Sequence, residues 1–202
     1  MISILDYGIG NLASVRNALK YLGLPNQTIS SPAQVKASGH LLLPGVGAFA
    51  AAMDALVQNG LVDALREHAT AKQRPLLGIC LGMQLLMDEG REAGRHAGLG
   101  LIKGIVEPLP VDAGLVIPHM GWNDVRPTRP SRLREDPAGT HSFYFVHGYF
   151  CNASDPMDVT AMTEYGIEFP SMIERDNVFG CQFHPEKSQR HGLSILSQFF
   201  KV

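Results

Sequence analysis

Cysteine is scarce in this sequence: Cys80, Cys151 and Cys181 are the only three among 202 residues. The count is odd and the spacing matches no zinc pattern, so neither a disulfide framework nor a structural zinc site is expected. Free thiols in a reducing cytoplasm are the simplest reading. An excess of one charge is missing as well. Seventeen basic side chains stand against nineteen acidic ones, for a net charge of −2. Bulk electrostatics therefore point to no nucleic-acid and no membrane-surface partner. No apolar run approaches the roughly 20 residues of a membrane span. Met1-Ile2-Ser3-Ile4-Leu5-Asp6 lacks the basic region and long apolar segment of a secretory signal. Repeats, low-complexity segments and a dividing linker are absent too. The length suits a single domain, residues 1–202.

Apolar residues are plentiful, at 45%, enough for a large core. In the first half they recur as short runs alternating with helical periodicity. Ile2–Leu5 is β-like and ends in Asp6-Tyr7-Gly8-Ile9-Gly10-Asn11; Leu12, Val15, Leu19 and Leu22 then recur at helical spacing before Gly23. That turn has too few glycines, wrongly spaced, for a dinucleotide fingerprint. Gln27–Ser30 reads as a second short strand. Leu41-Leu42-Leu43 is a buried strand running into Pro44-Gly45-Val46-Gly47, with helical segments over Ala48–Asn59 and Leu61–Lys72. Such alternation predicts an α/β fold: a mostly parallel central sheet with helices on both faces. Sites in such folds lie at the carboxyl ends of strands.

The second half predicts additional antiparallel strands. Val116–Asn123 is punctuated by glycine and proline, and Arg126–Thr140, with Pro127, Pro130 and Pro137, reads as an exposed loop. Ser142–Phe150 and Val159–Tyr165 are strongly β, and Met172–Arg175 and Val178–Phe183 flank an Asp176-Asn177 hairpin turn. A helix from about Ser188 turns Leu193, Leu196, Phe199 and Phe200 to the core.

Two stretches carry chemistry. Gly78-Ile79-Cys80-Leu81-Gly82 follows the apolar run Pro75-Leu76-Leu77 and precedes a helix-compatible run to Met87. It has the spacing of a Gly-x-Ser-x-Gly nucleophile elbow with sulfur in place of oxygen. A thiol there sits near a helix N-terminus, which favours the thiolate. On the pentapeptide alone, Cys80 is either a nucleophile or a small buried hydrophobe. The second stretch is Gly180-Cys181-Gln182-Phe183-His184-Pro185-Glu186-Lys187-Ser188. A cysteine nucleophile needs an imidazole base, and the imidazole needs a third group to orient it. His184 and Glu186 supply both types, although a surface His-Pro-Glu loop has the same sequence.

Gly78–Gln84 followed by Gln182–Glu186 resembles the class I, triad-type glutamine amidotransferases. Six further stretches resemble the glutaminase subunits of imidazole glycerol phosphate synthases, and the similarity runs nearly end to end: Asp6–Asn11, Pro44–Phe49, Gly98–Ile102, His119–Asn123, Tyr144–His147 and Pro185–Ser188. The regions around Glu89–His96 and Arg126–Thr140 match least. The resemblance implies a glutaminase that attacks the side-chain amide of glutamine, forms a Cys-bound glutamyl thioester and releases ammonia, without metal or other cofactor. Cys80 matches the nucleophile, His184 the base and Glu186 the orienting carboxylate. The N–H of Leu81 and the Val46–Gly47 peptide match the oxyanion hole. Val46 stands where relatives carry glycine; a β-branched residue resists positive φ, so the hole is expected to be incomplete in the free subunit. Gly45, Gln84 and the backbone near Gly148 and Tyr149 match the substrate contacts, with Gly148 standing where a Ser or Thr is more usual. Asn11, Trp122 and Lys187 match residues facing a cyclase subunit, a (β/α)8 barrel, in a heterodimer.

Tyr144, Phe145 and Val146 read as core, His147 as either structural or functional, and Cys151 and Cys181 as buried and inert. Three alternatives remain open: a glutaminase serving another synthase, a stand-alone hydrolase of γ-glutamyl substrates, and a non-catalytic regulator.

Overall fold

The structure is a computed structural model and describes residues 1–111 and 114–202. Strands β1 (Ile2–Leu5), β2 (Asn26–Ile29), β3 (His40–Gly45) and β4 (Leu76–Cys80) alternate with helices α1 (Leu12–Tyr21), α2 (Pro32–Ala37), α3 (Phe49–Gln58) and α4 (Leu61–Arg66). A π-helical turn over Glu67–Ala71 extends α4, and α5 (Leu81–Leu85) leaves directly from β4. Short strands β5 (Glu89–Gly90), β6 (His96–Ala97) and β7 (Gly104–Pro108) follow. Then come β8 (His119–Pro127), β9 (His141–His147), β10 (Tyr149–Ala153), β11 (Val159–Tyr165), β12 (Ile167–Arg175), β13 (Val178–Cys181) and helix α6 (Gln189–Phe199).

Nine of these strands form one sheet in the order β2-β1-β3-β4-β13-β12-β11-β8-β9. The β2-β1-β3-β4-β13 part is parallel and the rest antiparallel. Side chains along the parallel strands alternate between two cores. Leu41, Leu43 and Leu76 pack with Val35, Phe49, Leu56 and Leu65 from α2, α3 and α4. Leu42, Leu77 and Ile79 pack with Val15 and Leu19 of α1 and Leu196 and Phe199 of α6. The period of two across helices of period 3.6 is what puts helices on both faces. A second sheet, ordered β10-β7-β5-β6, adds Val106 and Cys151 to the first core.

Most expected elements stand at their expected places, and Gly23 ends α1 with φ +69°. One stretch gains an element and three expectations need correction. The stretch punctuated by glycine and proline, Val116–Asn123, holds at His119–Asn123 the start of the nine-residue strand β8. Gly121 takes φ +136° there, which only glycine does freely. Arg126–Thr140 is irregular beyond Pro127 but not simply exposed, since Ser131, Leu133 and Arg134 are buried. The Glu174 carboxylate accepts from Ser131 Oγ at 2.6 Å and from Arg132 Nε at 2.8 Å, pinning the loop inward. Ser142–Phe150 is two strands in different sheets, divided at Gly148. Within β9, Phe145 is core, while Tyr144 and Val146 lie on the opposite face and are only partly buried.

Candidate active site

Three neighbouring parallel strands end together. Gly45 at the end of β3 pairs with Cys80 at the end of β4, and Cys181 at the end of β13 pairs with Ile79. The Gly45-Val46-Gly47 loop, the Cys80 elbow and the His184 turn therefore open on one edge of the sheet. The elbow is tight. Cys80 has φ +54° and ψ −111°, a conformation that costs a non-glycine residue about 1–3 kcal/mol. Both flanking glycines are required by contact. A Cβ on Gly78 would lie 2.5 Å from the Gly82 carbonyl oxygen, and one on Gly82 would overlap the Leu43 carbonyl oxygen. Gly45 is equally confined, its Cβ position lying 2.6 Å from the Tyr7 hydroxyl, which donates to the Pro44 carbonyl at 3.0 Å.

His184 follows β13 and is strapped on both sides. Its N–H donates to the Tyr144 carbonyl at 2.9 Å, and Ser188 Oγ donates to its carbonyl at 2.6 Å. A single 3₁₀ turn, Pro185–Lys187, swings Glu186 back so that Oε1 accepts from His184 Nδ1 at 2.8 Å. The two side chains are only 3% and 2% exposed. With Nδ1 committed as donor, Nε2 is the nitrogen free to take a proton, and it is buried without a partner. Burial alone pulls the imidazole pKa down. The adjacent Cys80 and the hydrogen-bonded Glu186 carboxylate together outweigh that and raise it to about 9.

In this resting arrangement the Cys80 thiol donates to the Val146 carbonyl at 3.8 Å, and Gln182 Nε2 donates to its sulfur at 3.8 Å. Gln84 Nε2 donates to the Tyr149 carbonyl at 2.9 Å and to Gln182 Oε1 at 3.2 Å. Cys80, Gln182, Gln84 and Tyr149 thus form one connected wall, and Gly148 adjoins it in sequence. Leu81 begins α5, where the first amides of a helix have no intrahelical acceptor. Across the cleft Val46 is 41% exposed and does not take positive φ, whereas Gly47 does, at +95°.

Trp122 and Lys187 meet on the same side of the molecule through Tyr144. The Trp122 ring stands edge-on to Tyr144 at 6.2 Å, and Lys187 Nζ lies 5.8 Å from the Tyr144 ring centroid. Trp122 is 50% exposed. Asn11 is exposed and caps α1, accepting from Ser14 N at 3.4 Å; α1 packs against the Pro185–Lys187 turn. Cys151 and Cys181 are fully buried, and burial is the largest cause raising both thiols above their ordinary range.

Sequence reasoning passed over Gln182 and the carbonyl of Val146. Gln182 immediately precedes Phe183-His184, and a glutamine in an otherwise apolar strand end was the available signal. A backbone carbonyl leaves no signal in sequence.

A thiol on a strand-to-helix elbow beside a carboxylate-held imidazole is the arrangement of a class I glutamine amidotransferase. The chain belongs to that family: the Glutamine amidotransferase class-I profile matches residues 3–202. A crystallised glutamine amidotransferase shares the fold with TM-score 0.77 at 18% identity, over 99% of this chain and 97% of that one. Within the family, relatives similar over nearly the full chain carry the name imidazole glycerol phosphate synthase subunit HisH. The protein of that name from Moorella thermoacetica is 53% identical over 199 residues, 98% of this chain and 93% of the relative. That from Desulfitobacterium hafniense strain DSM 10664 / DCB-2 is 48% identical over 201 residues, 100% of this chain and 94% of the relative. Among the described residues no helix is long and apolar enough to cross a membrane.

Proposed function

We propose that the chain, acting as one domain over residues 1–202, hydrolyses glutamine at Cys80. It passes the ammonia to a cyclase subunit that makes imidazole glycerol phosphate and an aminoimidazole carboxamide ribonucleotide in histidine biosynthesis. The observation that carries the residue assignment is the Cys80 elbow at positive φ next to the buried His184–Glu186 pair. Cys80 attacks the amide carbon of glutamine. His184 Nε2 receives the thiol proton and returns it to the leaving nitrogen, while Glu186 holds the ring by Nδ1. Water then cleaves the thioester and releases glutamate. Gly45, Gln84, Gly148 and Tyr149 line the place of the substrate.

Leu81 N–H is one oxyanion donor, and the Val46–Gly47 peptide supplies the other. Val46 avoids positive φ and Gly47 adopts it, which supports a loop that rests out of donor orientation. Rotation of that single peptide completes the hole when the partner holds its own substrate. Asn11, Trp122 and Lys187 face the partner, a (β/α)8 barrel, in a heterodimer. Trp122 is the rigid anchor of that surface, and sealing it keeps ammonia from water. The cytoplasm is the setting that this reading implies.

The test is reconstitution: this chain, the cyclase, its ribonucleotide substrate and glutamine. Glutamate and the imidazole product both form, Cys80→Ala abolishes both, and glutamate release by the wild type rises at least tenfold when the cyclase holds its ligand. Equal release with and without the liganded partner would refute the incomplete oxyanion hole. Product formation from glutamine with Cys80→Ala would refute the site itself.

A further inference from the structure

Two buried histidines outside the triad form a chain of hydrogen bonds with a fixed direction. His119 opens β8 and His147 closes β9, and they are paired across the ladder between those strands. His147 Nδ1 lies 2.9 Å from the Tyr149 carbonyl oxygen. A carbonyl only accepts, so Nδ1 carries the proton and Nε2 of the neutral ring is an acceptor. His119 Nδ1 donates to it at 3.0 Å. The remaining nitrogen of His119, Nε2, accepts from Asn123 Nδ2 at 3.3 Å. Asn123 Nδ2 also donates to the Glu164 carbonyl at 2.8 Å, which fixes which end of that amide is which. Donation therefore runs one way, from Asn123 through His119 and His147 to the carbonyl of Tyr149.

The chain works only with both rings neutral, because a charged ring would set N–H against N–H. Burial keeps them so, pushing His147 down to about 3 and His119 to about 4. His119 is stacked between Tyr165 at 4.0 Å and Phe145 at 4.9 Å. A site lined this way would accept phenylalanine if packing were the only need.

The oxygen at the end of the chain is not an ordinary one. Tyr149 follows Gly148, where the backbone leaves one sheet for the other. Its carbonyl also accepts from Gln84, which is linked through Gln182 to the Cys80 sulfur. We propose that His119 and His147 are positioning residues for glutamine binding, holding the His147–Tyr149 turn so that its backbone faces the substrate. This rests on the glutaminase reading above and adds to it two residues that touch neither the substrate nor the thiol.

Two measurements test it. In ¹⁵N NMR of the whole chain at pH 7, with the two rings assigned by His119→Phe and His147→Phe, both rings are neutral and protonated at Nδ1. A charged ring, or an Nε2–H tautomer in either, overturns the proposal. In the complex with the liganded cyclase, His147→Phe raises the KM for glutamine about tenfold, with kcat within about threefold. His147→Asn, which keeps a donor near the position of Nδ1, recovers most of the affinity. His119→Phe, one link further out, gives a smaller rise in KM. An unchanged KM in folded protein, or a loss that only tracks the fraction of Cys80 open to a glutamine-analogue label, overturns the proposal as well. If the wild-type complex releases no glutamate, the glutaminase reading fails on its own and the tautomers still decide the relay. If His147→Phe does not fold, His119→Phe and the wild-type spectrum carry the test.

Discussion

Replacing Glu186 by glutamine removes a charge and little else. The new side chain has the same reach, and its amide oxygen can still accept from His184 Nδ1, which lies 2.8 Å from the native carboxylate. The tautomer survives; the electrostatic support does not. In the native site the imidazole is raised from 6.5 to about 9, with burial opposing and Cys80 and Glu186 driving the rise. A rise of that size is worth about 3 kcal/mol, a ceiling for what the Glu186 charge contributes. A hydrogen bond to a charged partner inside a protein contributes about 1.5–3 kcal/mol. That range gives a fall in kcat/KM of about 10- to 100-fold, within the ceiling and less than the roughly 10⁴-fold seen when a triad loses its tautomer as well. The same pair makes a second, independent signature in stability. A histidine whose folded pKa lies above its unfolded value stabilises the fold fully below the unfolded pKa, and that support is lost as pH rises through the folded one. The wild type's lead over Glu186→Gln is therefore full below pH 6.5 and shrinks as pH rises from there to about 9. Urea unfolding at a series of pH values, and glutamate release in the liganded complex, measure the two effects. A fall in kcat/KM under threefold, or a margin that grows with pH, refutes the assignment.

Two further predictions bear on binding. Gly148 has an unstrained φ, and a Cβ there meets only Ile117 Cγ2 at 3.6 Å, an ordinary contact. Gly148→Ser is accommodated and lowers the KM for glutamine by about three- to tenfold through one new hydroxyl contact; an unchanged or raised KM refutes a substrate role for that backbone. Lys187→Ala removes a charged contact to the partner at an exposed site beside Tyr144, a contribution of about 0.5–1 kcal/mol. Calorimetric titration with the cyclase then shows two- to fivefold weaker binding, and the yield of imidazole product per glutamate falls more than glutamate release does. The opposite ranking removes Lys187 from the interface.

The parallel half of the fold was legible because buried strands and amphipathic helices write their periods directly into sequence. Leu41–Leu43 and Leu76–Ile79 are continuous apolar runs, and Leu12, Val15 and Leu19 repeat at helical spacing. Helix α2 went unread because six residues are too few for a period, although Ser31-Pro32-Ala33-Gln34 carries a full capping box. Strand β8 was hidden for another reason: its side chains are spent on other tasks. Trp122 is half exposed, Asn123 and His119 serve the hydrogen-bond chain, and Gly121 sits at positive φ. The site divided the same way. A cysteine between glycines, and a histidine two residues from a glutamate, are patterns in one dimension. The link from Gln182 to Gln84, and the pairing of His119 with His147, arise only when distant strands come together.

The middle of the large sheet is filled by the strand latest in sequence among its nine. Strand β13 inserts between β4 and β12, so Val178 pairs with Leu76, about half the chain away in sequence. Until it does so, β4 presents an open edge, and the elbow at its end has neither imidazole nor carboxylate beside it. Pairings this distant in sequence form late. A chain that stops short of Glu186 therefore carries Cys80 as an unassisted thiol, and the ability to cut glutamine arrives only once His184 and Glu186 are in place.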